Sequence, residues 1–280
     1  MYQTIVSVET LKQNLGQPNW VVFDCRFNLM DTEAGQQAYA EAHIPGAFYL
    51  HLDNDLSSPI SPDTGRHPLP DPTKLAEKLA QSGVDKNTQV VVYDDCGGAM
   101  AARTWWLLRW LGHDAVAVLD GGLPAWVAAE SCSTEIPEAR ESGFTPELHG
   151  VMNLSVDQLQ QELSVGDILL VDARAAERYR GEVEPIDPVA GHVPGAENRP
   201  LTDNLADGLF KSAEQLHEEW SAVLQGAAPD QVVHMCGSGV TACHNQLSME
   251  IAGLTGSRIY SGSWSEWIRD PNRPVVLDKK

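Results

Sequence analysis

The chain has 280 residues, a formal net charge of −20 and a hydrophobic content of 42%, which suits a globular protein of two ordinary domains. Such an excess of negative charge repels phosphates, so no nucleic acid and no membrane is expected among its partners. No apolar stretch approaches the roughly 18 residues that a membrane span needs, and the opening Met1-Tyr2-Gln3-Thr4-Ile5-Val6 lacks the basic and apolar regions of a signal peptide, which makes a cytoplasmic location the expectation.

Along the chain, Asp71-Pro72-Thr73 opens a helix with Leu75 and Leu79 four apart. Residues 90–93 and 116–119 have strand length and β-branched content. Between them Trp105, Trp106 and Trp110 form an apolar helical stripe that reads as core. Ser155 caps a further helix with Leu159 and Leu163 on one face, and residues 168–171 and 231–235 are again strands. A last helical pattern carries Leu247, Ile251 and Leu254. Strands alternating with helices predict an α/β fold, a mainly parallel sheet flanked by helices, in which ligands bind where strands end and helices begin.

The chain also repeats itself. Val21-Val22-Phe23-Asp24-Cys25-Arg26 is echoed by Leu169-Leu170-Val171-Asp172-Ala173-Arg174, and Ala42-His43-Ile44-Pro45-Gly46-Ala47 by Gly191-His192-Val193-Pro194-Gly195-Ala196. Gln89-Val90-Val91-Val92 corresponds in character to Pro229-Asp230-Gln231-Val232-Val233. Gly121-Gly122-Leu123-Pro124-Ala125-Trp126 corresponds to Gly262-Ser263-Trp264-Ser265-Glu266-Trp267. Four blocks in the same order indicate a duplicated domain. We expect domains at residues 1–140 and 150–280, joined by a polar stretch near residues 131–150 that holds Pro137 and Pro146. Asp24 with Arg26 and Asp172 with Arg174 recur in both halves and read as structural ion pairs. His43 and His192 read as structural for the same reason.

The segment with chemistry in it is Cys236-Gly237-Ser238-Gly239-Val240-Thr241-Ala242. It follows a strand and precedes a helix. Its glycines let the backbone curl with N–H groups turned inward, and the helix N-terminus adds positive charge. Such a cradle suits an anion and favours the thiolate, the reactive form of cysteine. Carrying the spacing of the last repeated block back from Cys236 lands on Asp95, which has no thiol, so the chemistry is assigned to the C-terminal half. The five cysteines, Cys25, Cys96, Cys132, Cys236 and Cys243, form no C-x-x-C pair and no disulfide framework is expected. His234, Cys236, Cys243 and His244 converge poorly for zinc, so no metal is expected. There is no G-x-x-x-x-G-K-S motif for a nucleotide, and no cofactor is called for.

These motifs resemble the tandem-domain rhodanese family of thiosulfate and 3-mercaptopyruvate sulfurtransferases. The likeness covers nearly the whole chain, on the Gly262–Trp267 block, the His43-Ile44-Pro45-Gly46-Ala47 block and the loop at 236–242. That loop is like the mercaptopyruvate branch. The resemblance implies two rhodanese-like domains and a sulfurtransferase in which Cys236 takes a sulfane sulfur from a small anionic donor, as a persulfide, and passes it to cyanide, a thiol or a protein acceptor. It implies donor binding by Arg178 and by the loop residues Gly237, Ser238, Gly239, Val240 and Thr241, whose N–H and hydroxyl groups face the sulfur. The second arginine that mercaptopyruvate enzymes carry shortly after the first is missing: residues 182–188 read Glu-Val-Glu-Pro-Ile-Asp-Pro. Neither Ser238 nor Thr241 has a general base beside it in sequence. A cysteine phosphatase would need an arginine where this chain has Ala242, and a non-enzymatic sulfur carrier is the other alternative.

Overall fold

The computed structural model describes residues 1–278, which divide into two compact units. The first holds residues 1–58, 69–149 and 207–210; the second holds 59–68, 150–206 and 211 onward. The segment Pro59–Pro68 belongs to the second unit although it lies deep within the N-terminal half of the sequence.

The first unit runs β1 (Ile5–Val6), α1 (Val8–Asn14), β2 (Trp20–Asp24), α2 (Ala34–Glu41), β3 (Phe48–Tyr49), α3 (Pro72–Gln81), β4 (Gln89–Tyr93), α4 (Ala101–Trp110), β5 (Val116–Leu119) and α5 (Gly122–Val127). Its five strands pair in the order β1-β5-β4-β2-β3, all parallel. Val22, Val91, Tyr93, Ala117 and Leu119 pack in one cluster with Leu11 and Trp126. The alternate residues Val21, Phe23, Val90, Val92, Val116 and Val118 are buried as well. A sheet covered on both faces needs apolar side chains at every position, which is why these strands read as unbroken runs rather than alternating ones. Trp105 and Trp106 of α4 are fully buried, and Trp106 stacks on Trp110 at 6.0 Å, so the tryptophan stripe is core.

The second unit repeats the plan: β6 (Asn153–Leu154), α6 (Val156–Val165), β7 (Leu169–Asp172), α7 (Ala176–Tyr179), β8 (Glu197–Asn198) and β9 (Leu205–Ala206). After β10 (Leu209–Phe210), which falls in the first unit, come α8 (Ala213–Leu224), β11 (Val232–Met235), α9 (Ala242–Ile251), β12 (Arg258–Tyr260) and α10 (Ser263–Trp267). The order β6-β12-β11-β7-β8 is again all parallel. One face buries Leu170, Val233, Met235 and Tyr260 with Leu159 and Trp264; the other buries Val171 and Val232 with Trp220 and Met249. The joining stretch is not a free tether. Ser142 Oγ donates to Val84 O (2.5 Å), Glu147 N–H to Leu111 O (2.9 Å) and His149 N–H to Trp110 O (2.9 Å), which lays it along the first unit.

The helix starts fall where the sequence places them. Asp71 Oδ1 accepts from Thr73 and Lys74 N–H ahead of Pro72. Ser155 forms a full capping box: its hydroxyl accepts from Gln158 N–H (3.3 Å) and Gln158 Oε1 accepts from Ser155 N–H (2.8 Å). Both bonds satisfy donors that a helix N-terminus otherwise leaves open. Ser155→Ala should cost about 1 kcal/mol, read as a lower urea midpoint with secondary structure unchanged at zero denaturant.

Candidate active site

The loop 236–242 joins β11 to α9, at the C-terminal edge of a parallel sheet. Three features fix its shape. Gly239 has φ +77° and an added Cβ would stand 2.1 Å from Ser261 O, so only glycine fits there. The block Gly262–Trp267 clamps the loop through its backbone: Trp264 N–H donates to Cys236 O (3.0 Å) and Ser265 N–H to Gly237 O (2.9 Å). Ser263 adopts φ +53°, a conformation that strains a residue with a Cβ. Its hydroxyl compensates by accepting from Cys236 N–H (3.1 Å) and donating to Tyr260 O (3.0 Å).

Cys236 ends up 1% exposed, with Gly239 N–H directed at its sulfur at 3.2 Å. A backbone donor at that position stabilises negative charge on sulfur. Cys243 is fully buried in α9 with its Sγ on Gly239 O (3.4 Å), and all five cysteines are free. His234 is also fully buried, and burial lowers its pKa to about 3, so it stays neutral. Val240 is buried, Thr241 half-buried at the start of α9, and Ser238 5% exposed.

Two residues that sequence reasoning missed complete the site, and both lie on the Pro59–Pro68 segment. His67 Nδ1 is 2.7 Å from Ser238 Oγ, an imidazole partner that no residue next to Ser238 in sequence could provide. Arg66 is anchored by its N–H on Ser265 Oγ (3.0 Å). A Cβ built on Gly237 would lie 3.0 Å from an Arg66 guanidinium nitrogen and 3.6 Å from one of Arg178. Two guanidinium groups therefore flank Gly237 where one was expected. The only local signal was the pairing of two cationic-capable residues, Arg66-His67, in a stretch with no predicted element.

Both arginines carry carboxylates. Arg178 makes a forked contact with Glu184 (2.7 and 3.2 Å) and reaches Asp187 at 3.3 Å; Arg66 also binds Asp187. Burial opposes the charge of Glu184, but Arg178 and the backbone N–H groups of Asp187 and Ile186 outweigh it, and its carboxyl is held below the usual carboxylate range. Asp187 goes the other way. Burial pushes its carboxyl up, Glu184 adds to that, and Arg66 and Arg178 only partly offset it.

The first unit holds the matching loop without the chemistry. Strand pairing sets Asp24 opposite Tyr93 and Asp172 opposite Met235, so the residue that follows β4, Asp94, occupies the position of Cys236. The spacing of the repeated block had pointed to Asp95, one residue late, because the two loops differ in length by one residue between strand and clamp. Leu123 N–H on Asp94 O (2.8 Å) duplicates Trp264 N–H on Cys236 O. The Asp94 carboxylate accepts from the N–H groups of Cys96, Gly98, Met100 and Ala101 at 2.7–3.0 Å, so this cradle already contains an anion of its own. Desolvation, then the charges of Asp94 and Asp95, push the Cys96 thiol up and away from the thiolate. The recurring ion pairs are equally matched. Arg26 forks onto Asp24 and donates to Ala42 O, and Arg174 forks onto Asp172 and donates to Gly191 O, with 2.7 Å as the shortest contact in each case. His43 stacks on Tyr39 and His192 on Tyr179, each with Nδ1 on that tyrosine's backbone oxygen.

Comparison with known proteins agrees with this duplicated site. The rhodanese-like domain matches residues 7–129 and again 155–270. The chain belongs to the rhodanese family of sulfurtransferases. It is 50% identical over 276 residues to a probable 3-mercaptopyruvate sulfurtransferase of Pseudomonas aeruginosa, covering 97% of both chains. It is 36% identical to the human 3-mercaptopyruvate sulfurtransferase over 83% of this chain and 79% of that one. It is also 32% identical to the mouse thiosulfate sulfurtransferase over 96% and 93%. Among solved structures, the 3-mercaptopyruvate sulfotransferase of Escherichia coli superposes with a TM-score of 0.80 at 28% identity, over 94% of this chain and all of that one. Among the described residues no helix is long and apolar enough to cross a membrane.

Gly239→Ala should displace the loop that presents the Cys236 sulfur. A shift of about 1 Å at a reacting group costs on the order of a hundredfold in rate. We expect that loss in sulfur-transfer kcat/KM, with the cooperative unfolding transition retained in calorimetry.

Proposed function

We propose that this rhodanese carries sulfur on Cys236, taking it from a small anionic donor and passing it to a thiophilic acceptor such as cyanide, a thiol or a protein. The observation that carries the reading is the single assembly of a buried cysteine, a backbone N–H on its sulfur and two guanidinium groups beside Gly237. In the first half-reaction the Cys236 thiolate attacks the sulfane sulfur, forming an S–S bond. The electron pair of the breaking bond leaves with sulfite from thiosulfate, or with the enolate of pyruvate from 3-mercaptopyruvate. In the second, the acceptor attacks the outer sulfur of the persulfide and the Cys236 thiolate leaves, which gives ping-pong kinetics. With Gly239 N–H already on the Cys236 sulfur, in this reading the N–H groups of Gly237, Ser238, Gly239, Val240 and Thr241 stabilise the outer sulfur as an anion. Arg178 and Arg66 bind the donor's carboxylate or sulfonate end by forked hydrogen bonds.

Of the two donors, 3-mercaptopyruvate fits better. Its enolate needs a proton to become pyruvate, whereas sulfite leaves as a stable anion. The His67–Ser238 pair, 2.7 Å apart, is a proton-transfer unit of the kind that step uses. Arg66 also supplies a second guanidinium in place of the arginine that is missing after Arg178. Five free thiols suit a reducing compartment, in keeping with a cytoplasmic enzyme.

Incubation with 3-mercaptopyruvate and no acceptor should add one sulfur atom to the mass of the chain, and Cys236→Ala should neither gain that mass nor turn over. Retained turnover in Cys236→Ala would remove this cysteine from the mechanism. In a parallel comparison, His67→Asn and Ser238→Ala should lower kcat for 3-mercaptopyruvate by about a hundredfold or more and affect thiosulfate far less. Equal losses with both donors would count against the proton-transfer role.

A further inference from the structure

The two arginines beside Gly237 are not open to a donor as they stand. Asp187, with its side chain 4% exposed, bonds Arg66 through one carboxylate oxygen and Arg178 through the other. A carboxylate shared between two guanidinium groups at the mouth of the cysteine loop is the placement that a carboxylate donor would itself need. We infer that Asp187 is a built-in competitor for the donor, a pseudo-substrate carboxylate that must be displaced before an anion can reach Arg66 and Arg178. The inference rests on the use of those arginines for donor binding proposed above.

The neighbouring acids show why Asp187, rather than Glu184, is the one that moves. Glu184 is tied to Arg178 by a fork, to Arg174 at 3.4 Å, and to the N–H groups of Ile186 and Asp187 at 3.1 Å. Its charge is favoured where it sits. Asp187 is surrounded by Arg66, Arg178, Arg174 and Glu184, and burial together with Glu184 disfavours its charge. Among the described residues no backbone N–H donates to its carboxylate, which is held by Arg66 and Arg178 alone. A dianionic or better-placed anion therefore replaces a poorly held carboxylate, while Glu184 keeps Arg178 oriented. The consequence is selectivity: weak anions fail to displace Asp187, and the Arg66–Arg178 pair stays neutralised against the solutes that a bare pair of cations would collect.

Pyruvate is a suitable probe, because it carries the donor's carboxylate and ketone and no sulfur. Its affinity for the unmodified chain, Asp187→Asn, Asp187→Ala and Asp187→Glu should be measured by calorimetry, beside KM and kcat for 3-mercaptopyruvate. Loss of a charge-assisted competitor should tighten pyruvate binding by about tenfold in Asn and Ala, and lower KM by a similar factor with kcat little changed. Glu, which keeps a carboxylate, should remain near the unmodified value. Unchanged or weaker pyruvate binding in whichever of Asn and Ala retains its unfolding transition would overturn the inference, and a merely structural Asp187 predicts that weakening. Because pyruvate binding needs no sulfur chemistry, tightening without turnover on either donor would sink the proposed function and leave Asp187 in its role.

Discussion

A buried guanidinium ties the second unit together. Arg174, with its side chain 1% exposed, forks onto Asp172 at the end of β7, donates to Gly191 O, touches Glu184 and lies over the Trp264 ring at 4.7 Å. Trp264 in turn holds Cys236 O. One side chain thus links the strand end, the segment 182–191, the clamp of α10 and the cysteine loop. Burying such a charge is costly unless every donor is used, and here the guanidinium is surrounded by acceptors. From Arg174 the charges alternate outward: Asp172, Arg174, Glu184, Arg178, Asp187, Arg66. Three positive and three negative groups cancel, so the site carries no excess of either sign despite the strong negative charge of the whole chain.

The duplication shows which parts of this arrangement belong to the fold and which to the chemistry. Arg26 repeats the fork of Arg174, and Leu123 repeats the clamp of Trp264. Those contacts shape a strand–loop–helix corner whether or not anything reacts there. The corner then leaves backbone N–H groups pointing inward, and they need an acceptor. In the first unit Asp94 provides it from within the chain, satisfying four of them. In the second unit the same position is a cysteine, whose sulfur accepts from Gly239. The two loops are solutions to one hydrogen-bonding problem, and only the second leaves a thiol at that position.

Much of this was legible in the sequence because its signals are local. Unbroken apolar runs mark strands buried on both faces, Ser155 and Asp71 mark helix starts, and Cys236-Gly237-Ser238-Gly239 marks a loop curled by glycine. The duplication was visible because its four blocks are the contacts that the corner cannot do without. The losses share one cause. Arg66 and His67 reach Ser265 and Ser238 from almost two hundred residues away in the chain, on a segment without regular structure. No periodicity or spacing encodes such a contact. The Asp95 assignment failed for a smaller reason: block spacing is set by the clamp, whereas the position of Cys236 is set by the strand end, and one residue separates the two.

The way the chain handles anion-binding positions follows from its own charge. With many more acids than bases, a bare pair of arginines or an empty backbone cradle would be filled from within before it was filled from solution. Asp94 fills the first cradle with four short bonds and a position fixed by the strand, so it does not leave. Asp187 fills the arginine pair with fewer bonds, from an irregular segment, against the push of Glu184. The difference between a closed site and an exchangeable one is then the number and kind of bonds that hold the internal carboxylate. The same acidic composition supplies the competitor that a true donor has to outbid.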